Sequence, residues 1–181
     1  MPSQSFSSKG ISFIRLSTDY VIKPFDCGDA DLNEFLLEES AHFSEQLLSV
    51  TYLLENETST IAFCSLLNDK ISIIDLESKR KWHKLFRDKM PRGKQFNSYP
   101  AMKVGRFGVS TDFKSQGIGT SILDYLKEMF ITNNRTGCRY ITVDAYRESL
   151  AFYQKNGFKF LTEEDTRLDT RQMYFDLILL S

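Results

Sequence analysis

Apolar and polar residues follow two periods along this chain, one typical of strands and the other typical of helices. Short apolar or alternating runs between turn residues predict strands over 11–17, 49–56, 58–69, 98–110, 138–146 and 171–179. Apolar residues spaced three and four apart predict helices over 25–47, the first half of 78–94, 116–132 and 148–158. Strands that alternate with helices in this manner indicate an α/β fold.

Turn and cap residues mark the ends of several of these elements. Asp29 or Asp31 can accept hydrogen bonds at the start of the first helix. Asn56 and Glu57 lie at the turn between two neighbouring strands, which predicts a hairpin. The Asn-Gly pair at 156–157 is expected to end the last helix, because glycine is common directly after a helix C-terminus.

Composition narrows the class of protein. The 181 residues fit one domain over 1–181, in which the polar, serine-rich residues 1–10 are expected to be flexible. Three distant cysteines without a CxxC pair argue against a disulfide framework and against a zinc site, so we expect no metal. The chain has no apolar run of membrane-spanning length and no apolar leader segment. We therefore expect a soluble, cytoplasmic protein with no membrane partner.

The segment that joins the strand at 98–110 to the helix at 116–132 is rich in glycine. It reads Lys-Ser-Gln-Gly-Ile-Gly over 114–119, and it indicates an anion site. The first turn of a helix leaves N–H groups without partners, and the helix dipole is positive there. Glycines let an anion approach the backbone closely. A purely structural turn explains the same pattern equally well, and neither a P-loop nor a dinucleotide fingerprint fits it.

Two motifs in order resemble those of the GNAT family of acetyl-CoA-dependent N-acetyltransferases. The glycine segment resembles motif A, with Lys114, Gly117 and Gly119 at its marked positions and lysine where glutamine or arginine is usual. The stretch SLAFYQKNGF resembles motif B, with Tyr153 at its tyrosine. The resemblance covers residues 100 to 180 well. It implies a GNAT fold, in which helices flank a mixed sheet of about six to seven strands with a splayed strand 4/strand 5 cofactor cleft.

The resemblance also implies which residues bind acetyl-CoA. Lys114, Ser115, Gln116, Gly117, Ile118, Gly119 and Thr120 would hold its pyrophosphate. Phe107, Gly108 and Val109 match the bulged part of strand 4, which aligns the pantetheine and the thioester in this family. Gly108 suits such a break in a strand. A small residue beneath a bulky neighbour is the other explanation for Gly108.

Catalytic candidates are few. Tyr153 occupies the position of the family's general-acid tyrosine, and a phenol keeps its proton at neutral pH because its ordinary pKa is about 10. A half-buried tyrosine on an amphipathic helix is the structural alternative. Asp144 lies at the end of the strand predicted over 138–146, where it could act as a base, orient the substrate or serve as a helix-entry residue. His42 and His83, the two histidines, are expected to be surface or boundary residues.

Eight cations crowd the segment 79–94 around one acid, Asp88. They are Lys79, Arg80, Lys81, Lys84, Arg87, Lys89, Arg92 and Lys94. In one interpretation this is a solvated helix whose Trp82 and Phe86 face the core. In the other it binds a polyanion, with Lys81, Lys84 and Arg87 as substrate-binding candidates.

The stretches FDCGDADLNEFL and YPAMKVGRFGV resemble a GNAT subgroup that includes toxins of toxin–antitoxin pairs. Such toxins acetylate the amino group of aminoacyl-tRNA, so the resemblance implies tRNA and an antitoxin as candidate partners. A homodimer is also plausible for this fold. The net charge of -1 is less basic than a tRNA-binding protein would lead us to expect.

Three functional hypotheses follow. The first is acetyl transfer from acetyl-CoA to a primary amine of a small molecule or protein. The second is toxin-type acetylation of aminoacyl-tRNA, which would block translation. The third is a non-catalytic module that binds acetyl-CoA or a partner, and an intact glycine loop together with Tyr153 counts against it.

Overall fold

A computed structural model describes residues 10–76, 78–86, 96–132, 136–164 and 168–180. Within these residues one seven-stranded sheet has the order β1-β2-β3-β4-β5-β7-β6. Its strands are β1 (Ser12–Arg15), β2 (Val50–Glu55), β3 (Thr60–Ser72), β4 (Ser98–Val109), β5 (Tyr140–Tyr146), β6 (Lys159–Phe160) and β7 (Thr170–Asp176). β4 and β5 are parallel, whereas β1, β2 and β3 pair in antiparallel fashion. The predicted mixed sheet is therefore confirmed.

Five α-helices accompany the sheet in the described part of the chain. They are α1 (Ala30–Glu34), α2 (Ser40–Glu45), α3 (Lys79–Phe86), α4 (Ile118–Thr132) and α5 (Leu150–Lys155). A π-helical turn, Phe35–Glu39, separates α1 from α2 within the predicted helix 25–47. Asp29 is the residue that caps α1, because its side chain accepts a hydrogen bond of 3.1 Å from the Leu32 N–H.

The chain forms two compact units, and both β3 and β4 are divided between them. The first unit comprises Met1–Leu67 and Val104–Thr132. Its core contains Phe25, Phe35, Leu36, Leu53 and Phe63. Phe13 of β1 meets Tyr125 of α4 edge to face, with 4.7 Å between ring centroids. The first unit therefore contains a sheet with aromatic packing on both of its faces.

The second unit comprises Asn68–Lys103 and Asn133–Ser181. An aromatic cluster forms much of its core, and α3 contributes Trp82 and Phe86, each 2 % exposed. Trp82 stacks on Tyr99 with 5.3 Å between ring centroids, and Phe86 lies 5.5 Å from Tyr140. The interpretation that Trp82 and Phe86 face the core is thus confirmed.

Two details near the C-terminus differ from the sequence prediction. Strand β6 was not predicted, because its two residues are too short for a periodic pattern; Lys159 and Phe160 pair with Tyr174 and Met173. The last strand, predicted over 171–179, ends at Asp176. Asp176 accepts hydrogen bonds from Arg139 and from the Ile178 N–H, and this local bond turns the backbone into a short 3₁₀ helix.

The predicted helix stop at 156–157 is confirmed, since Gly157 has φ +84 and α5 ends at Lys155. Among the described residues no helix is long and apolar enough to cross a membrane. The same residues include no group of three or more His, Cys, Asp or Glu side chains arranged to hold a metal ion. Nine residues of the segment predicted to be flexible, 1–9, lie outside the described part, and one domain over 1–181 stays a prediction.

Candidate functional site

The glycine segment forms a sharp turn at the start of α4 in the first unit. A single 3₁₀ turn, Thr111–Phe113, follows β4, and α4 begins at Ile118. Between them Ser115 has φ 63 and Gly117 has φ 78. This left-handed conformation favours glycine at 117 and strains the serine at 115. Left-handed residues of this kind can turn neighbouring backbone N–H groups toward one concave surface, a geometry that suits an anion.

The first turn of α4 supplies further donors. Ser121 donates its N–H to the Gly117 carbonyl over 3.0 Å, which is the first helical bond of that type. Helix geometry leaves the amides before Ser121 without such partners. Gly117 is exposed, and a side chain there would have no heavy atom within 4 Å. Space and donors at this turn therefore suit an anion such as a pyrophosphate.

Lys114 has a partner that the sequence did not predict. Its ammonium donates a hydrogen bond of 2.7 Å to the carbonyl oxygen of Cys27. Gln116 also folds back, and its side-chain amide donates to the Asp112 carbonyl over 3.1 Å. The cation predicted to reach a phosphate is therefore held against the loop that precedes α1. No local signal predicts this bond, because the two residues lie 87 positions apart.

Strand β4 contains two glycines near the place where the resemblance implies a bulge. Phe63 and Leu67 lie four residues apart on β3, so their side chains project from the same face of the sheet. Gly105 of β4 faces the Leu67 side chain, and Gly108 faces the Phe63 side chain. Residues three apart on a regular strand face opposite sides, so these contacts are compatible with the bulge that the resemblance implies, and the bulge stays a prediction.

Gly108 has a packing explanation as well. A β-carbon at Gly108 would lie 2.8 Å from the Phe63 ring and 3.2 Å from the Phe25 ring. A larger residue at 108 would therefore collide with the two rings, which supports the interpretation of Gly108 as a small residue beneath bulky neighbours. Phe107 and Val109 on either side are half-buried. A cofactor role for the backbone of these three residues stays a prediction.

Tyr153 belongs to the second unit, on the short helix α5. The residue is 5 % exposed. Its ring packs edge to face against Phe152 and Phe158, with centroid distances of 5.1 and 5.3 Å. The Phe158 N–H also donates to the Tyr153 carbonyl over 3.0 Å, which fixes the backbone at the helix end. The phenol is thus held in one orientation, as a positioned proton donor requires. Its catalytic role stays a prediction.

Asp144 has a cationic partner. It lies exposed on β5, where its carboxylate accepts a hydrogen bond and an ion pair from the Lys103 ammonium. This contact occupies the Oδ2 oxygen of the Asp144 carboxylate. The geometry therefore fits a role in orienting a polar group better than a role as general base. Lys103 was missed by sequence reasoning, since it lies 41 positions from Asp144.

The basic segment is described only in part. Within α3, Lys79, Arg80 and Lys84 are exposed, and Lys81 forms an ion pair of 3.5 Å with the exposed Glu163. Exposed pairs of this kind contribute little to stability. Burial of Trp82 and Phe86 leaves most of these cations at the surface. Arg87, Lys89, Arg92 and Lys94 lie outside the described residues.

The two histidines lie on different helices, α2 and α3. His42 is exposed on α2 and lies 3.8 Å from the Glu45 carboxylate, which is also exposed. His83 is half-buried on α3. Both placements agree with the expectation of surface or boundary residues.

Fold and loop together define an α/β protein with a glycine-containing, left-handed turn between a strand and a helix. A family model for an acetyltransferase (GNAT) domain matches residues 73–171, which is more than half of the chain. The chain therefore belongs to the GNAT acetyltransferase family, as its motifs indicated. A search of curated protein sequences found no match.

Several solved structures share the fold. AtaT complexed with acetyl-methionyl-tRNAfMet has a TM-score of 0.75 and 20 % identity over 94 % of this chain and 96 % of that chain. A KacT variant with phenylalanine in place of a tyrosine has a TM-score of 0.76 and 18 % identity, over 96 % of this chain and 100 % of that chain. AtaTR bound with AcCoA has a TM-score of 0.72 and 21 % identity, over 94 % of this chain and 98 % of that chain. Identities this low establish the fold alone.

Proposed function

We propose that this protein transfers an acetyl group from acetyl-CoA to a primary amine. The left-handed turn at Ser115 and Gly117, at the mouth of a helix in a GNAT fold, is the observation that carries the proposal. In this proposal residues Lys114 to Thr120 hold the pyrophosphate through backbone N–H groups. The backbone of Phe107, Gly108 and Val109 aligns the pantetheine and the thioester.

The proposed reaction is attack of an amine on the thioester of acetyl-CoA, followed by release of the CoA thiol. The neutral amine nitrogen attacks the thioester carbon, and its lone pair forms the new C–N bond while the carbonyl oxygen gains negative charge. A backbone N–H of β4 stabilises that oxyanion. The C–S bond then breaks, and the leaving thiolate takes a proton from the Tyr153 phenol. The product nitrogen loses a proton to solvent, and the Tyr153 phenolate regains one from solvent. Holding the two reactants in line can contribute roughly 7–11 kcal/mol.

A second acceptor, the amino group of aminoacyl-tRNA, is favoured by the geometry of α3. This helix is anchored through two buried aromatic side chains, so its exposed cations are presented from a fixed position. Lys and Arg side chains on one exposed helix face suit the phosphates of a nucleic acid. AtaT, which shares the fold, has been solved with acetyl-methionyl-tRNAfMet and also with the C-terminus of the antitoxin AtaR. An antitoxin is accordingly a candidate partner.

A panel of amine acceptors distinguishes the two proposals. Labelled acetyl-CoA is offered with bulk aminoacyl-tRNA, polyamines, amino acids and peptide N-termini. Label on charged tRNA that is lost after deacylation supports the toxin-type function. Label on small amines or peptides alone supports a metabolic or protein acetyltransferase. Binding of acetyl-CoA with no transfer to any acceptor would indicate a non-catalytic module.

Charge reversal in the basic segment tests the tRNA proposal separately. We expect Lys81→Glu, Lys84→Glu and Arg87→Glu together to abolish acetylation of charged tRNA while acetyl-CoA binding stays unchanged. Lys70→Glu with Lys159→Glu is the control, since these exposed lysines lie outside the basic segment. Acetylation of charged tRNA at the wild-type rate by the triple variant would show that the basic segment is only a solvated face.

Cellular location and assembly form part of the proposal too. Acetyl-CoA and charged tRNA are both cytoplasmic, so we propose that the protein acts in the cytoplasm. A homodimer is the assembly proposed, and sedimentation equilibrium over a range of protein concentrations tests it.

A further inference from the structure

The loop before α1 is fastened to the segment that leads into the glycine turn. We infer that Asp26 and Asn33 are positioning residues for the anion site, since they fix the carbonyl groups to which Thr111 and Lys114 bind. The inference rests on the proposed function in one respect, namely that the anion held there is the pyrophosphate of CoA.

Hydrogen bonds within the loop make it rigid. The Asp26 carboxylate oxygen Oδ1 accepts from the Gly28 N–H and from the Asn33 side-chain amide, each over 2.8 Å. Asn33 in turn accepts from the Cys27 N–H over 3.0 Å through its own Oδ1. Gly28 has φ 78, which only a glycine adopts without strain. One side chain, that of Asn33, therefore ties both Asp26 and Cys27 to the start of α1.

The same loop supplies the acceptors for the phosphate segment. The Asp26 carbonyl accepts from the Thr111 N–H over 2.9 Å and from the Thr111 hydroxyl over 3.3 Å. The neighbouring Cys27 carbonyl accepts from the Lys114 ammonium over 2.7 Å. Two consecutive carbonyl groups thus hold both ends of the segment 111–114, directly before the left-handed residue Ser115.

The loop and the phosphate segment carry opposite charges, on Asp26 and on Lys114. The Gly28 N–H foremost, then the Asn33 amide and the Lys114 charge, lower the pKa of the Asp26 carboxyl, which is accordingly ionised at neutral pH. Its oxygen Oδ1 is engaged by donors within the loop. The Lys114 ammonium donates to the Cys27 carbonyl, and its charge also stabilises the ionised Asp26 carboxylate.

Fixing Lys114 and the turn beforehand reduces the entropy lost when an anion binds. A lysine that moved freely would lose the freedom of its long side chain on binding, and the turn would have to order as well. Asp26 and Asn33 act through the loop rather than on the ligand. Their loss should therefore weaken binding of CoA and leave the chemical step intact.

The test compares CoA affinity among matched variants by titration calorimetry. Asn33→Ala removes both bonds of the Asn33 side chain, and we expect CoA to bind about tenfold more weakly. Asp26→Ala should act similarly, whereas Asp26→Asn keeps an acceptor oxygen and should retain affinity within about threefold. KM for acetyl-CoA should rise in step with the dissociation constant while kcat stays unchanged.

Asn56→Ala is the matched control. Asn56 organises the β2–β3 turn of the same unit in a comparable manner, accepting from the Thr58 and Ser59 N–H groups over 2.9 and 2.8 Å. The described contacts of its side chain do not include residues 111–114. Asn56→Ala should reduce thermal stability about as much as Asn33→Ala does, but it should leave the affinity for CoA unchanged.

The outcomes separate the inference from the proposed function. Failure of the wild-type protein to bind CoA would overturn the proposed function and the inference together. Wild-type binding with equal affinity in Asn33→Ala would overturn the inference alone. Should Asn33→Ala not fold, Thr111→Val removes the exposed hydroxyl bond to Asp26, and about threefold weaker CoA binding is expected. Unchanged affinity in that variant would overturn the inference.

Discussion

The glycine turn at the start of α4 and the helix α5 that carries Tyr153 are held by different kinds of interaction. Around the turn the side chains are exposed, and its shape depends on two left-handed residues and on hydrogen bonds from a distant loop. Tyr153 is buried, and aromatic contacts with Phe152 and Phe158 fix its ring. Backbone changes should therefore damage the first region, whereas changes of side-chain chemistry should damage the second.

Removing one hydroxyl group from the second region should have the largest effect. Tyr153→Phe keeps the ring and its packing but loses the proposed proton donor. We expect kcat to fall by about 10²- to 10⁴-fold, with the dissociation constant for acetyl-CoA unchanged within about threefold. Stopped-flow detection of free thiol, combined with titration calorimetry, measures both quantities. A kcat within threefold of the wild-type value would exclude Tyr153 as the acid.

A change of backbone freedom in the first region should come next in size. Gly117→Ala introduces a β-carbon at φ 78, and the strain costs roughly 1 kcal/mol or reshapes the turn. We expect acetyl-CoA to bind about tenfold more weakly while kcat at saturation changes little. Titration calorimetry and steady-state kinetics give the two values.

Gly137→Ala is the control for that change. Gly137 also has no heavy atom within 4 Å of an added β-carbon, but its φ lies outside the left-handed range. Thermal unfolding should show this variant as stable as the wild type or slightly more stable, because alanine restricts the unfolded chain. Equal CoA affinity in the Gly117 and Gly137 variants would mean that the left-handed turn does not bind the cofactor.

Relieving strain in the same turn should have the smallest effect. Ser115→Gly removes the cost of a left-handed serine but adds freedom to the unfolded chain. We expect a net gain of about 0.5 kcal/mol in the free energy of unfolding, with CoA affinity retained. Urea unfolding monitored by circular dichroism measures this. A loss of stability would show that relief of strain at Ser115 is smaller than the entropy that glycine adds to the unfolded chain.

Sequence patterns predicted those features of the fold that depend on local physics. Apolar spacing located α3, α4 and α5, and Asn-Gly located the end of α5, since each signal lies within the element that it specifies. The π-helical turn at Phe35–Glu39 was not predicted, because the apolar spacing of an α-helix and of a single π turn are alike over five residues.

Contacts between distant residues could not be predicted from one sequence. Lys114 was assigned to a phosphate from its motif, yet its partner Cys27 lies far away along the chain. Asp144 was considered as a base, and only the fold brings Lys103 against it. The glycine motif was visible for a different reason. Its chemistry belongs to consecutive backbone N–H groups, so residue order alone describes it.

Binding of acetyl-CoA at the glycine turn is the central claim, and backbone amide NMR spectra during a titration test it most directly. We predict that the amide signals of Ser115 to Ser121 shift on addition of acetyl-CoA. Acetyl-pantetheine, which lacks the pyrophosphate, should leave the same signals in place. Saturable binding of acetyl-CoA with shifts only outside residues 115–121, or no binding at all, would contradict the account.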